Sequence, residues 1–120
     1  MHQNKTFIEE SFIKSLFFQV TLGLKEMHSK NKFHRDIKPD NILYSFVKNQ
    51  MVFKICDFGV SKCLRLGEKN VAQTAIGTPG YAAPEADPHK VSLNDVVSQH
   101  YSVDIWSLGV MIYQLCIQDV

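Results

Sequence analysis

The stretch His34-Arg35-Asp36-Ile37-Lys38-Pro39-Asp40-Asn41 decides how the rest of the chain is read, because it sets a carboxylate, an ammonium and an amide in one short loop. Standing alone, Asp36, Asp40 and Asn41 would be turn formers whose side chains bond the local backbone. With Lys38 between them they also suit phosphoryl transfer. That reaction needs a carboxylate to accept a hydroxyl proton, a cation near the moving phosphate, and oxygen ligands for Mg²⁺.

Upstream of this loop, Ile13, Leu16, Phe17, Val20, Leu24 and Met27 recur at spacings of three and four and predict one helix of about 20 residues. Thr6 with Glu9 fits a capping box at its start, and Lys30, Asn31 and Lys32 suit its end. Downstream, Asn41 to Phe46 and Met51 to Cys56 are two short runs rich in β-branched, aromatic and aliphatic residues. Val47-Lys48-Asn49-Gln50 separates them, which predicts a hairpin. Asp57 follows the second run directly, so the hairpin would bring a second carboxylate beside Asn41.

From Asp57 to Glu85 neither period is sustained, and Gly59, Gly67, Gly77, Pro79, Gly80 and Pro84 punctuate the stretch. A segment of that length without regular structure is expected to be disordered or functional. Ser102 and Asp104 can then start a second helix, with Val103, Trp106, Val110, Tyr113 and Ile117 on one face and apolar residues nearly all round. Trp106 and Tyr113 are expected in the core; His2, His89 and His100 are expected in solvent.

The chain has 120 residues, 45% hydrophobic and 21% charged, as expected of one soluble globular unit. Thirteen basic and twelve acidic side chains leave +1, so no global field points to nucleic acid or an acidic membrane. Cys56, Cys63 and Cys116 form no C-x-x-C pair and no zinc-ligand spacing, which favours a reducing compartment, and Cys56 and Cys63 are expected to be inert thiols because no helix N-terminus or basic cluster stands beside them. The apolar run Ile105 to Ile117 is too short and too polar to span a bilayer, and Glu9 and Glu10 spoil any secretory signal. The expected location is cytoplasmic or nuclear.

The series of motifs is more specific than any one of them. The H-R-D-x-K-x-x-N loop is followed by Asp57-Phe58-Gly59, then by Gly77-Thr78-Pro79-Gly80-Tyr81-Ala82-Ala83-Pro84-Glu85, then by Asp104-Ile105-Trp106-Ser107-Leu108-Gly109. In that order they resemble the eukaryotic protein kinase family, of the serine/threonine type because Lys38 follows Asp36 by two positions. The resemblance covers nearly the whole chain. It implies a mainly α fold with a small β-hairpin, the helical C-lobe of the two-lobe α+β kinase fold. Residues 1–120 would be a partial catalytic domain, with the catalytic loop at 34–41, D-F-G at 57–59, the activation segment at 57–85 and a buried helix over about 102–117.

The implied activity is transfer of the ATP γ-phosphate, with Mg²⁺, to Ser or Thr of a protein substrate. In that scheme Asp36 is the catalytic base, Lys38 meets the γ-phosphate, and Asn41 and Asp57 are the Mg²⁺ ligands. Leu43 lies beneath the adenine and Cys56 borders the nucleotide pocket. Thr78 bonds Asp36 and Lys38, Phe58 and His34 pack against each other, and Asp104 holds the catalytic loop. Arg35 would clamp a phosphorylated activation loop, with Thr74 as the candidate phosphosite and Ser61 second.

Other parts of the family pattern are missing from this sequence. The glycines at 23, 59, 67, 77, 80 and 109 contain no G-x-G pair, and no lysine-bearing strand precedes the first helix. The nucleotide-covering N-lobe is therefore absent from these residues, and the arginine that would pair with Glu85 is not among them either. The expectation is a fragment of a longer gene product, or a chain that needs a partner to supply the missing lobe. The alternative function is a catalytically silent kinase-like lobe acting as a binding or regulatory module. The stretch from Ala86 to His100 is longer than the family's usual one, which bears on substrate preference.

Overall fold

The structure, a computed structural model, describes residues 8–56, 62–63, 71–74, 77–87 and 96–117, with the backbone alone at 62–63, 71–74 and 96–99. Helix α1 spans Glu10–Ser29, which is 20 residues. Glu9 precedes it in an extended conformation with no side-chain cap, so it is not the interior partner of a capping box. Thr6, the other half of that expectation, lies outside the described residues. At the far end Lys30 and Asn31 donate to the carbonyls of Met27 and His28, and Asn31 takes a left-handed φ of 59°. Asparagine tolerates that conformation, so the helix stops there.

Leu16, Val20 and Leu24, spaced four apart, form the buried stripe of α1 and pack with Ile37, Phe53, Leu108 and Met111. Phe12 meets Phe53 edge-on at 5.3 Å. Phe17, expected in the stripe, is exposed. A second cluster joins Phe33, Ala83, Ala86 and Val103, with Tyr101 against it. Phe33 belongs to β1 (Lys32–Phe33), which leads directly into the 34–41 loop.

The hairpin consists of β2 (Ile42–Val47) and β3 (Gln50–Ile55), antiparallel with Ile42 opposite Ile55 and Val47 opposite Gln50. Its turn is two residues, Lys48 and Asn49, both at positive φ (51° and 63°). Such a turn matches the strand twist. The far edge of β3 is bonded by a side chain of α1. Gln19 Nε2 donates to the carbonyl of Met51 at 3.0 Å, and Phe53 N–H donates to Gln19 Oε1 at 2.9 Å.

Three two-stranded antiparallel sheets are present among the described residues, more strand than a single hairpin. β4 (Lys62–Cys63) pairs with β1, and β5 (Val71–Thr74) pairs with β6 (Val96–Gln99). The last ladder ties the irregular 57–85 stretch to the segment after it. Runs of two and four residues are too short to show a period, which is why the sequence reading missed them.

Helix α2 spans Ser102–Ile117. Its buried face is Val103, Asp104, Ser107, Leu108 and Met111, not the expected apolar stripe. Trp106, Tyr113 and Ile117 are exposed, as is Ile105. The helix is turned because two polar residues face inward with defined partners. Ser107 donates to the carbonyl of Tyr81 at 2.7 Å, and Asp104 accepts from the 34–35 backbone.

Candidate active site

Asp104, with no exposed surface, anchors the site. Its Oδ2 accepts the His34 N–H at 2.8 Å, and its Oδ1 accepts the Arg35 N–H at 2.8 Å. Neither backbone donor is part of a helix, so a buried carboxylate supplies what regular structure would otherwise provide. His28 Nε2 donates to Oδ2 at 2.9 Å. The residue stands in the third position of α2, so it is not the helix cap that its place near the start suggested.

His34 is fully buried. Its Nδ1 accepts the Asp36 N–H at 3.1 Å, and its Nε2 lies 2.8 Å from the Cys56 carbonyl. One ring nitrogen accepts and the other donates, which is the neutral imidazole with its proton on Nε2. Arg35 has a positive φ of 76° and a buried side chain. Burial pushes its guanidinium pKa down, and the nearby Asp104 carboxylate opposes that shift.

Pro39 restricts the residue before it, and Lys38 is accordingly extended, with φ −162° and ψ 164°. A short 3₁₀ turn, Pro39–Asn41, then carries Asn41 back beneath Asp36. Asn41 Nδ2 donates to the Asp36 carbonyl at 2.8 Å and approaches its Oδ2 at 3.3 Å. Lys38 Nζ stands 3.7 Å from the same Oδ2 and donates to Thr78 Oγ1 at 2.8 Å. Thr78 in turn donates to Asp36 Oδ1 at 2.7 Å. Four of the residues singled out in the sequence, Asp36, Lys38, Asn41 and Thr78, thus form one hydrogen-bonded cluster.

Thr78 reaches the cluster through a tight turn in which its carbonyl accepts from Tyr81 and Ala82. Gly77 before it has φ 123°, and a Cβ there would lie 3.1 Å from the Arg35 carbonyl and 3.2 Å from Ala82 Cβ. Glycine is required by both conformation and space.

Cys56 is half-buried, and its N–H donates to the Asn41 carbonyl at 2.8 Å, which places Asn41 beside the residue preceding Asp57. Leu43 is exposed on β2. Asp57, the rest of the D-F-G motif and Ser61 lie outside the described residues, as does the side chain of Thr74 at the end of β5. Two participants were missed from sequence. His28 falls four residues after Leu24 on the buried stripe of α1, a position where a histidine asks for a partner. Tyr101 carried no such signal.

No cluster of three or more metal-ligating side chains occurs among the described residues. Asn41 fits a cation in one respect: with its Nδ2 committed to Asp36, its amide oxygen makes no hydrogen bond to a described residue. No helix among the described residues is long and apolar enough to cross a membrane.

Over residues 1–120 the chain matches the family described as protein kinase domain. It is 41% identical over 114 residues to serine/threonine-protein kinase Nek5 of Homo sapiens, covering 95% of this chain and 15% of that protein. Against serine/threonine-protein kinase nekl-2 of Caenorhabditis elegans it is 38% identical over 111 residues, 92% of this chain and 28% of the relative. Serine/threonine-protein kinase D3 of Homo sapiens is 34% identical over 113 residues, with 94% and 12% covered. The chain therefore spans less than a third of each of these relatives.

Proposed function

The chain belongs to the protein kinase family, of the eukaryotic serine/threonine type, and from that premise we propose that it forms the helical C-lobe of an enzyme moving the ATP γ-phosphate to Ser or Thr of a protein. The observation that supports this reading best is the cluster of Asp36, Lys38, Asn41 and Thr78, assembled from two distant parts of the sequence. Positioning and electrostatics supply nearly all the catalysis in phosphoryl transfer, so a cluster of mutually bonded side chains is the relevant asset.

In this scheme a substrate hydroxyl stands beside Asp36, whose Oδ1 and Oδ2 are oriented by Thr78 and Asn41. Its oxygen forms a bond to the γ-phosphorus as the bond to the β,γ-bridging oxygen breaks. Asp36 takes the hydroxyl proton and ADP leaves. Lys38 carries positive charge toward the phosphoryl oxygens while Thr78 limits where its ammonium can go. Asn41 and Asp57 would hold Mg²⁺, which neutralises charge on the ATP phosphates when bound. Leu43 and Cys56 would border the adenine side of the site. The lobe that covers the nucleotide is to come from outside residues 1–120, in the same polypeptide or a partner chain.

Regulation is assigned to Arg35 and Thr74. A phosphate on Thr74 would give the buried Arg35 guanidinium a further negative partner and order the activation segment. A reducing compartment, cytoplasm or nucleus, is proposed from the cysteine spacing, which holds no C-x-x-C pair.

The test is phosphate transfer from labelled ATP, with Mg²⁺, to a serine- and threonine-containing protein, using the polypeptide that carries this chain. Incorporation in the wild type and none in Asp36→Asn is expected. Equal incorporation in both would overturn the assignment.

A further inference from the structure

Tyr101 is the last residue before α2, at the end of the stretch that follows Glu85. Its ring stacks on the His28 imidazole, with centroids 4.7 Å apart and planes at 18°, and it meets Phe33 edge-on at 6.0 Å. The hydroxyl donates to Asn31 Oδ1 at 3.2 Å, and the Tyr101 carbonyl accepts the Asp104 N–H at 3.0 Å. One side chain thus touches the end of α1, the left-handed residue that closes it, and the strand that enters the catalytic loop.

The His28 ring is the element that these contacts restrain. Its Nε2 must lie in line with Asp104 Oδ2 to donate at 2.9 Å, and the side chain keeps 16% of its surface, so it has solvent to swing into. A stacked neighbour opposes that rotation without itself needing a hydrogen bond. Asp104 then holds the N–H groups of both His34 and Arg35, the two residues before Asp36.

The geometry points to Tyr101 as a positioning residue: by keeping the His28 imidazole flat it keeps Nε2 on Asp104, and so holds the backbone that presents Asp36. Tyr101 touches no reacting atom and acts through His28 and Asp104. Because it stands where the segment after Glu85 meets α2, that segment has a mechanical route to the catalytic loop. The effect on turnover rests on the kinase reading of Asp36; the link to the His34 and Arg35 amides does not.

Two readouts separate these. Amide hydrogen exchange at His34 and Arg35 is followed by NMR in the purified protein, and kcat and KM for ATP are measured in the polypeptide that carries the chain. Tyr101→Ala is expected to speed exchange at both amides and to lower kcat by about tenfold, the scale of one hydrogen bond to a charged group, with KM within about twofold. Tyr101→Phe, which keeps the ring, is expected to restore both. If Tyr101→Ala fails to fold, His28→Phe serves: it keeps a ring under Tyr101, loses the donor, and is expected to speed the same exchange, which His28→Gln then slows again.

Unchanged exchange at His34 and Arg35 in these variants overturns the proposal, whatever the activity. Faster exchange in a protein whose wild type transfers no phosphate upholds the link and overturns the kinase reading instead.

Discussion

The Thr78 hydroxyl donates to Asp36 Oδ1 at 2.7 Å across a sequence separation of 42 residues, while its own Oγ1 accepts from Lys38 Nζ at 2.8 Å. The position therefore needs a group that accepts and donates at once. Thr78→Val keeps the shape and loses both bonds. It is expected to lower kcat by about tenfold with little change in KM for ATP, and Thr78→Ser to recover most of the loss. Steady-state kinetics decide this, and a serine variant as slow as valine would count against the relay.

Asp36→Asn leaves an amide where a proton acceptor is needed but can keep its neighbours in place. Turnover is expected to fall by about 10²–10⁴, the range for a general base, while ATP affinity by calorimetry stays within about twofold. Weakened nucleotide binding with turnover retained would refute the role.

Asp104→Asn replaces one accepting oxygen with a donor that faces a backbone N–H, and removes the charge beside the buried Arg35. The expected loss is about 2–4 kcal/mol of unfolding free energy, measured by urea denaturation. A change under about 0.5 kcal/mol, the size of an ordinary surface substitution, would show that the carboxylate is not an anchor.

Gly77→Ala meets a positive φ and two close atoms, whereas Gly80→Ala meets a positive φ of 90° in open space. Both are strained, and the first is expected to lose more, by about 1 kcal/mol. Equal losses would mean that the approach to the Arg35 carbonyl is not limiting.

Thr74→Ala is expected to lower turnover of the activated enzyme by about tenfold, and Arg35→Lys to mimic it, since an ammonium cannot match phosphate bidentately. Comparing phosphorylated with unphosphorylated protein checks the point. Equal rates in the two forms would remove Arg35 from regulation.

Asp36, Lys38 and Asn41 were legible because a carboxylate, an ammonium and an amide share one short loop, Thr78 only through the resemblance of the motif series, and the hairpin because two aliphatic runs flank a polar turn. The orientation of α2 was not legible. Counting apolar residues turned Trp106 and Tyr113 inward, whereas Asp104 and Ser107 face the interior because each meets a partner distant in sequence. His28 hid for a similar reason, as a polar member of an apolar stripe. Gln19 belongs to no apolar stripe, and its bonds to Met51 and Phe53 of the hairpin leave no trace in the helix period. In each case the deciding partner lay on another element, which no local period reveals.

That glutamine has one more effect. On the edge of β3 not used by β2, its amide offers an N–H and a carbonyl to Met51 and Phe53 as a neighbouring peptide group would. An open edge of this kind is a template for a foreign strand and a route to aggregation. Gln19 occupies the template with a single side chain, so the hairpin is guarded against recruiting another chain at that point.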